Sequence, residues 1–485
     1  MLGLLACAGP MTRINTDELQ RNNQAEVFYI ELQHVIEKYG VSDASSFAVD
    51  GFPYMRSNRF LAAIKSQVDG DRNGLYWARQ MLNLGMASRR KEIGNLPETA
   101  IQELSRAMGS SLDRQITIQK VEDYALQMFA SDQRHPDFLG MLQPAVWVPD
   151  EYSTLARLIG FYPLAGIPVT AATAVAYKRY EKWHQTDPSE LEVLGKLIQY
   201  SPLLENDSAD PDFIKHLYNP SRLDAFGLPK VTFRDLQKLA LRFAPVIHQD
   251  VVESYDRIGR ITWQNNQVAV DSTHPTVYYY PSHSFLNEHP VYQLNYAFWY
   301  SERAGKNAPW IERGPLDGVT YRVTLDQNGD AAMVDIMNSC GCYFFFVPKK
   351  ETIAKIISKP GEITPLVPAW MPPGFPQKRL RLRLNSGWHQ VQGITTDGGL
   401  RDAQSYALIP YEVLESLPKE DGQHESVFTA DGIMKDSRRI EPYIFFSMGI
   451  EKIGYMRQRG HHAIKMVNRG HFTDPHLFDD SFEFH

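Results

Sequence analysis

Residues 276–347 form the most aromatic and most strongly β-patterned part of this 485-residue sequence. Within this stretch, the segment VYQLNYAFWY at 291–300 alternates large apolar side chains with polar or smaller ones. Because successive side chains of a strand point to opposite faces of a sheet, the pattern predicts a strand with one apolar and one polar face. The same alternation at 319–325 predicts a second strand, and Asn328-Gly329 is a strong signal for a hairpin turn after it. Strands joined by short turns favour an antiparallel β-sandwich or a partly open barrel.

The first part of the chain has the period of helices instead. Helices are expected at 17–40, 59–68, 75–93, 97–109, 118–129, 191–200 and 233–242. Residues 206–229 are rich in Asp, Asn, Pro and Gly, which is typical of a linker, and Thr232 with Asp235 resembles a capping box after it. The sequence therefore predicts an α+β protein with a helical module at 16–225 and an antiparallel β-sandwich-like domain with a C-terminal arm at 226–485.

Charge and composition limit the class of partner. Fifty basic and fifty-seven acidic residues give a net charge of -7 without long runs of one sign. Such a chain has no electrostatic footprint for a phosphate backbone, so a nucleic-acid partner is not expected. Residues 158–177 carry no charge and could span a bilayer by length, but Pro163 and Pro168 interrupt them. A buried turn followed by a helix from Pro168 is the interpretation, with a shallow membrane contact as the minor alternative.

The N-terminal segment MLGLLAC resembles the lipobox of bacterial lipoproteins. That resemblance implies cleavage after Ala6 and lipidation of Cys7, and it predicts a lipid-anchored protein on the periplasmic side of a membrane in the bacterial cell envelope. The segment has no positive region, and its apolar run is shorter than the roughly 7–15 residues of a signal peptide. We therefore expect residues 1–15 to be a truncated signal segment, with an N-terminus of no particular role as the alternative.

Cys340-Gly341-Cys342 is the most unusual local feature with chemical potential. Two thiols separated by a glycine can bind a soft metal, act as a redox pair or close a small disulfide. Histidines offer a second resource, because three of them converging would form a metal or acid–base site. The candidates are His274, His283, His289, His389, His461, His462 and His471. The final segment RGHHAIKMVNRGHFTDP is either part of such a site or an arm that packs over the sheet.

Five segments follow one another along the second half of the chain: FAPVIHQD, YQLNYAFWY, LDGVTYRVTLDQNGD, NSCGCY and LNSGWH. Their order resembles the β-sandwich of necrosis- and ethylene-inducing-like proteins and their vacuolar-sorting-type relatives. The resemblance covers residues 242–395. It implies that metal ligands of the family fall on Asp317, Cys340 and His389. Three places where the family has further ligands hold other residues here, namely Glu312, Gly314 and Pro315. The whole chain, with its SMG, GHHA and HFTDP segments near the end, also resembles a group of uncharacterised proteobacterial lipoproteins, a resemblance that implies no activity.

Two functions remain open at this point. The first is a non-enzymatic envelope lipoprotein, anchored to the membrane by lipid, whose β domain binds a small-molecule or protein partner. Its predicted ligand-binding residues are Gln293, Asn295, Arg322 and His389. The second is a metal-dependent, hydrolase-like enzyme with a divalent cation as cofactor. Its predicted metal ligands are Asp317, Cys340, Cys342 and His389, with help from the C-terminal histidines.

Overall fold

A computed structural model of the protein describes residues 19–68, 70–203, 210–396 and 403–485. The predicted lipidation site at Cys7 and the signal-like segment 1–15 lie outside the described residues. Contacts divide the chain into two compact units, Met1–Val148 and Pro149–His485.

The first unit is a helical module with one small antiparallel hairpin. Its helices are α1 (Leu19–Tyr39), α2 (Arg59–Ile64), α3 (Gly70–Asn95), α4 (Glu98–Ala107), α5 (Arg114–Asp132) and α6 (Phe138–Ala145). Its strands are β1 (Phe47–Val49) and β2 (Phe52–Ser57). Helix α3 continues through Gly85. A Cβ atom there would lie 2.2 Å from the Tyr54 carbonyl oxygen, so the glycine lets the helix pack closely against β2.

The second unit contains a large mixed sheet with helices packed against it. Its helices are α7 (Thr154–Ile159), α8 (Tyr162–Gln185), α9 (Pro211–Leu217), α10 (Phe233–Phe243) and α11 (Glu441–Phe445). Its first strands are β3 (Lys196–Pro202), β4 (Val246–Val251), β5 (Arg260–Gln264), β6 (Gln267–Asp271), β7 (Thr276–Leu286), β8 (His289–Arg303), β9 (Gly314–Leu325) and β10 (Ala331–Asn338). The remaining strands are β11 (Phe345–Pro348), β12 (Ile353–Ile356), β13 (Leu380–Leu384), β14 (Val391–Thr396), β15 (Gln404–Pro410), β16 (Leu417–Pro418), β17 (His424–Glu425) and β18 (Phe482–Phe484).

Ten of these strands form one sheet in the order β11-β10-β9-β8-β7-β15-β3-β4-β13-β14. Strands β7 to β11 form an antiparallel meander, as the sequence predicts. Strand β15 pairs in parallel with both β7 and β3, and β13 pairs in parallel with β4. The α+β class is therefore confirmed, whereas the predicted antiparallel, sandwich-like arrangement fits only in part, because the sheet is mixed. Parallel pairs require long connections, and these connections leave no local signal in the sequence.

Residues 191–200 were expected to form a helix, but β3 lies there. Its neighbours in the sheet are β15 and β4, and Ile198 and Tyr200 point into the same core as β8. Tyr180 on α8 packs in that core as well. The predicted module boundary at 225 therefore differs from the division at Val148, since α8 and β3 contribute to the second unit.

Three local predictions in this unit are confirmed. The Thr232 hydroxyl accepts a hydrogen bond from the backbone of Asp235, whose carboxylate accepts one from the Thr232 backbone, so the capping box begins α10. Asn328 and Gly329 lie in the turn between β9 and β10. The C-terminal arm packs its Phe478 against the sheet in an apolar cluster.

Strand β8 is buried on both faces rather than on one. The residues on its first face pack in one large core, and they are Tyr292, Leu294, Tyr296, Phe298 and Tyr300. Ala297 and Trp299 pack on the other face in a second cluster. Gln293 and Asn295 are also buried, so the predicted polar face belongs to the interior.

Helix α8 begins at Tyr162 and contains Pro168, so the predicted helix start at Pro168 and the buried turn before it are wrong. Side chains of the α7–α8 turn are instead exposed, with Leu158 at 75% and Phe161 at 72%. Among the described residues, no helix has both the length and the apolar character of a membrane span.

Candidate functional site

A pocket of about 280 Å³ lies in the second unit between α8, the loop that joins β10 to β11, and the C-terminal arm. Most of its wall is aliphatic or aromatic, including Ala172, Ala176, Phe346, Ile453 and Ile464. Polar groups at the wall include Cys340, Cys342, Glu312 and Glu441. A mainly apolar pocket with a few polar groups is the usual form of a small-molecule site.

Residues 338–343, called the thiol loop, bring both cysteines to this pocket. The Gly341 N–H donates to the Asn338 carbonyl at 2.8 Å, and the Asn338 N–H donates to the Cys342 carbonyl at 3.1 Å. Gly341 has φ +87°, and a Cβ atom on it would lie 2.1 Å from the Ala463 carbonyl oxygen. Only glycine fits both this backbone conformation and this close approach. The two cysteines are already unusual in the sequence, and this turn explains how their side chains can meet.

The two thiols are free and hydrogen-bonded to one another. The Cys342 N–H also donates to Cys340 Sγ at 3.3 Å. Burial alone would raise the pKa of Cys340, but the hydrogen bonds from Cys342 and the charge of Arg303 lower it to about 7. The hydrogen bond to Cys340, together with burial, raises the pKa of Cys342 well above its ordinary value. Cys340 is therefore the thiolate of the pair, and Cys342 is the thiol that donates to it.

Arg303, at the end of β8, is buried and held by two carboxylates. Its Nε and Nη2 donate to Asp317 at 3.0 and 2.8 Å, and its Nη1 donates to Glu312 at 2.8 Å. Trp388 Nε1 donates to the same Glu312 oxygen at 2.8 Å. The guanidinium charge is thus balanced within the protein while it acts electrostatically on the Cys340 thiolate.

Glu441, the first residue of α11, contributes an unusual carboxyl group to the pocket wall. Its Oε2 is buried and has no hydrogen-bond partner among the described residues. A Cβ atom on Gly454 would lie 1.9 Å from this oxygen, so the glycine makes room for the carboxyl group. Burial and the negative charge of Cys340 raise the pKa of Glu441 to about 8. At neutral pH this group is mostly a neutral acid that can donate a hydrogen bond into the pocket.

His389 lies in a buried cluster rather than in the pocket wall. Its Nδ1 hydrogen-bonds to Asp317 at 2.8 Å, and its Nε2 hydrogen-bonds to Asp256 at 3.2 Å. The imidazole stacks on the Tyr300 ring with 3.8 Å between centroids. Burial lowers the pKa of His389, but hydrogen bonds to both carboxylates outweigh burial and raise it. Both ring nitrogens of His389 therefore have carboxylate partners within the protein, and the residue is not among those that line the pocket.

The other three predicted ligand-binding residues lie side by side in the sheet. Gln293 Nε2 donates to Thr324 at 3.0 Å, and Asn295 Nδ2 donates to Ser282 at 2.8 Å. The Arg322 guanidinium forms a bidentate pair with Asp335, donates to the Phe472 carbonyl at 2.6 Å and stacks on the Phe472 ring. The C-terminal arm therefore covers this polar face. These side chains are not among those that line the pocket.

The predicted metal ligands do not fit a divalent cation. Both oxygens of Asp317 accept hydrogen bonds from Arg303, and a cation there would lie beside a guanidinium charge. In the part of the chain that the structure describes, no three His, Cys, Asp or Glu side chains are grouped so as to hold a metal ion. Two of the three C-terminal histidines pair with separate carboxylates, His461 with Glu151 and His471 with Asp150.

The two cysteines of the site are predicted from the sequence, but Arg303 and Glu441 are not. Arg303 lies 37 positions before Cys340 in the sequence, and Glu441 lies about a hundred positions after it. Neither residue belongs to a motif, and a single Glu after a surface-like loop carries no signal. Only pairing of β8 with β9 and the path of the arm bring them to the thiol loop.

No family model, curated protein or solved structure matches this chain. The chemistry of the site is therefore inferred from its own residues.

Proposed function

We propose that the second unit binds an apolar ligand with a hydrogen-bond-accepting head. We also propose that the protein is lipid-anchored on the periplasmic side of the bacterial cell envelope. The observation that carries the ligand-binding proposal is the pocket beside α8, with its apolar wall and few polar groups. Ligand binding by the β domain is the first of the two functions that the sequence leaves open. The residues that line the pocket differ from the four ligand-binding residues expected from the sequence.

The size and chemistry of the pocket support this class of ligand. Its volume of about 280 Å³ is well above the roughly 150 Å³ of an apolar cavity that accommodates benzene. The neutral carboxyl group of Glu441 suits an ester, amide or other carbonyl oxygen as the head of the ligand. An anionic head gains little here, because it would meet the Glu312 carboxylate at the wall, and Lys465, a basic residue at the wall, is already paired with Glu362.

The α7–α8 turn supports a membrane location in addition to the lipobox-like segment. Leu158, Phe161 and Leu164 are 75%, 72% and 69% exposed around this turn. No residue from 158 to 177 is charged, so a bilayer can accept the turn without burying a charge. Helix α8 follows this turn and its later residues line the pocket, so the proposed membrane contact and the proposed ligand site share one element. A bilayer surface is the occupant that we propose for the exposed turn.

Fluorescence of N-phenyl-1-naphthylamine, a neutral apolar dye, tests the pocket on the full chain. Ala176 lines the pocket, whereas Ala174 is an exposed residue on the same helix that does not line it. We expect saturable dye binding to the wild-type protein, loss of that binding in Ala176→Trp and unchanged binding in Ala174→Trp.

Equal dye binding by both tryptophan variants would contradict the proposal, and so would an absence of saturable binding to the wild type. Circular dichroism of each variant checks that a loss of dye binding does not reflect unfolding.

A further inference from the structure

The two cysteines of the pocket have an arrangement that ligand binding alone does not require. They are adjacent across a glycine turn, they are hydrogen-bonded to each other, and both line the pocket. Cys340 is buried from bulk solvent and Cys342 is partly exposed, but both line the pocket, so a molecule in the pocket can meet both residues. We propose that Cys340 and Cys342 form a redox-active dithiol, which is oxidised by thiol–disulfide exchange with a small disulfide that enters the pocket.

The thiol loop favours an intramolecular disulfide over a lasting adduct. The Gly341 turn is closed by backbone hydrogen bonds at both ends, and it already holds the two sulfurs in contact. The loop is also anchored outside the turn, because the Ser339 N–H donates to Gly318 at 2.8 Å and the Arg457 N–H donates to Ser339 at 2.9 Å. A fixed second thiol attacks a mixed disulfide in an effectively unimolecular step, so it competes well with solvent thiols.

The electrostatic neighbours assign an order to the two sulfurs. Arg303 and the two hydrogen bonds from Cys342 stabilise a negative charge on Cys340. Cys340 is therefore the attacking sulfur, and Cys342 is the resolving one. Glu441, whose Oε2 has no hydrogen-bond partner in the part of the chain that the structure describes, is the acid of the pocket that can exchange a proton with a departing thiolate.

The reaction balances with the disulfide RS–SR as the oxidant. The Cys340 thiolate attacks one sulfur, the S–S bond breaks, and the departing RS⁻ takes the proton of Glu441 to leave as RSH. The Glu441 carboxylate then accepts the proton of Cys342, whose thiolate attacks Cys340 Sγ and expels the second RS⁻. Two electrons pass from the dithiol to the substrate, which ends as RSH and RS⁻, and the protein ends with a Cys340–Cys342 disulfide.

Titration of the reduced protein with 4,4′-dithiodipyridine tests this reaction, because each exchange step releases a coloured thiopyridone. A Cys7→Ser background removes the third thiol of the chain. We expect two thiopyridones per protein, no attached pyridine, and a Cys340–Cys342 link in the peptide map. Cys342→Ser in the same background should release one thiopyridone and keep a mixed disulfide on Cys340.

A stable pyridyl adduct on both cysteines of the folded parent would overturn the proposal. It would also be overturned if the folded protein did not react while the urea-unfolded protein did. Both of these results are measured on the Cys7→Ser protein, which keeps Cys340 and Cys342. Poor folding of a variant at either of these two cysteines therefore cannot produce them. Glu441→Gln tests the role of Glu441 as the acid. This variant should still release two thiopyridones per protein, but it should release the second one more slowly.

Discussion

At the scale of single residues, the buried cluster around His389 shows how a candidate ligand becomes part of the framework. His389 and its partners Asp256 and Asp317 are fully buried, and Tyr300 covers one face of the imidazole. Burial opposes the charge on Asp317, but the charge of Arg303 and the hydrogen bond from His389 lower its pKa. The pKa of Asp256 is lowered against burial by the hydrogen bond from His389. The cluster therefore stabilises the folded state only in a limited range of pH.

The limits of that range follow from the directions of the shifts. The pKa of His389 is raised on folding, so its contribution is complete below its unfolded value of about 6.5 and is lost as pH rises through the folded value. The carboxylate pKa values are lowered, so their contribution is present above about 3.9 and is lost as pH falls through the folded values. The full contribution is expected between these two limits.

We predict that His389→Gln lowers the free energy of unfolding by about 3–5 kcal/mol near pH 5, because it removes one partner of a buried ion cluster. The loss should shrink as the pH rises above the folded pKa of the histidine. Urea unfolding of the full chain across this range measures it. His274→Gln is the matched control, since that side chain is 60% exposed in its pair with Asp271 and should change stability by less than about 1 kcal/mol. A difference between wild type and His389→Gln that grows with pH would contradict the assigned charges.

At the scale of elements, the α7–α8 hairpin combines two roles that the sequence shows only as one uncharged run. Ser153 accepts a hydrogen bond from the Ala156 backbone and begins α7. The chain then turns through Gly160, where a Cβ atom would lie 2.5 Å from Ser447, and through Phe161 at φ +48°. This turn directs apolar side chains outward, while the following part of α8 faces the pocket.

We predict that the full chain with Cys7→Ser, which cannot be anchored through that thiol, still sediments with vesicles of phosphatidylethanolamine and phosphatidylglycerol. Replacing Leu158, Phe161 and Leu164 together by serine should abolish the sedimentation, because an apolar turn gains its affinity from buried area. The control variant carries Val193→Ser and Val252→Ser, which alter side chains 45% and 42% exposed outside the hairpin.

Equal sedimentation of the hairpin variant and the control would exclude the membrane as the occupant of this turn. A concentration-dependent dimer of the parent, lost in the hairpin variant without any vesicle binding, would identify a second copy as the occupant instead.

At the scale of the whole molecule, the position of β3 decides where an independent unit can begin. This strand lies between β15 and β4 and pairs with both. Removing it would leave two unpaired edges in the middle of the sheet, and such edges favour aggregation. The apolar clusters around the sheet contain residues after Pro149 only.

We predict that a chain of residues 149–485 folds cooperatively, whereas a chain that begins at residue 226 does not. Loss of α8 and β3 removes Tyr180, Ile198 and Tyr200 from the main core, and each large apolar side chain contributes on the order of 1.5–3 kcal/mol by burial. Near-ultraviolet circular dichroism and urea unfolding compare the two chains. A cooperative transition in the shorter chain would show that the boundary expected at 225 is sufficient for folding.

Features of this fold with local signals can be predicted from the amino-acid sequence. The alternation at 291–300 predicts β8, Asn328-Gly329 predicts the hairpin turn between β9 and β10, and Thr232 with Asp235 predicts the start of α10. Each of these rests on a few neighbouring residues and on backbone preferences that act over one turn of chain. The α+β class follows from the same signals in sum. The sequence also identified Cys340-Gly341-Cys342 as chemically unusual, since that property needs only the residues themselves.

Tertiary structure alone decided what those features do. The parallel pairs of β15 and β13, the strand at β3 and the burial of both faces of β8 depend on contacts between distant segments. The same holds for the site, because only the folded chain puts Arg303 and Glu441 beside Cys340, and only the arm covers Arg322. Local periodicity fixes which face of an element is apolar, but it does not fix which partner covers that face. That choice is made by packing over the whole unit.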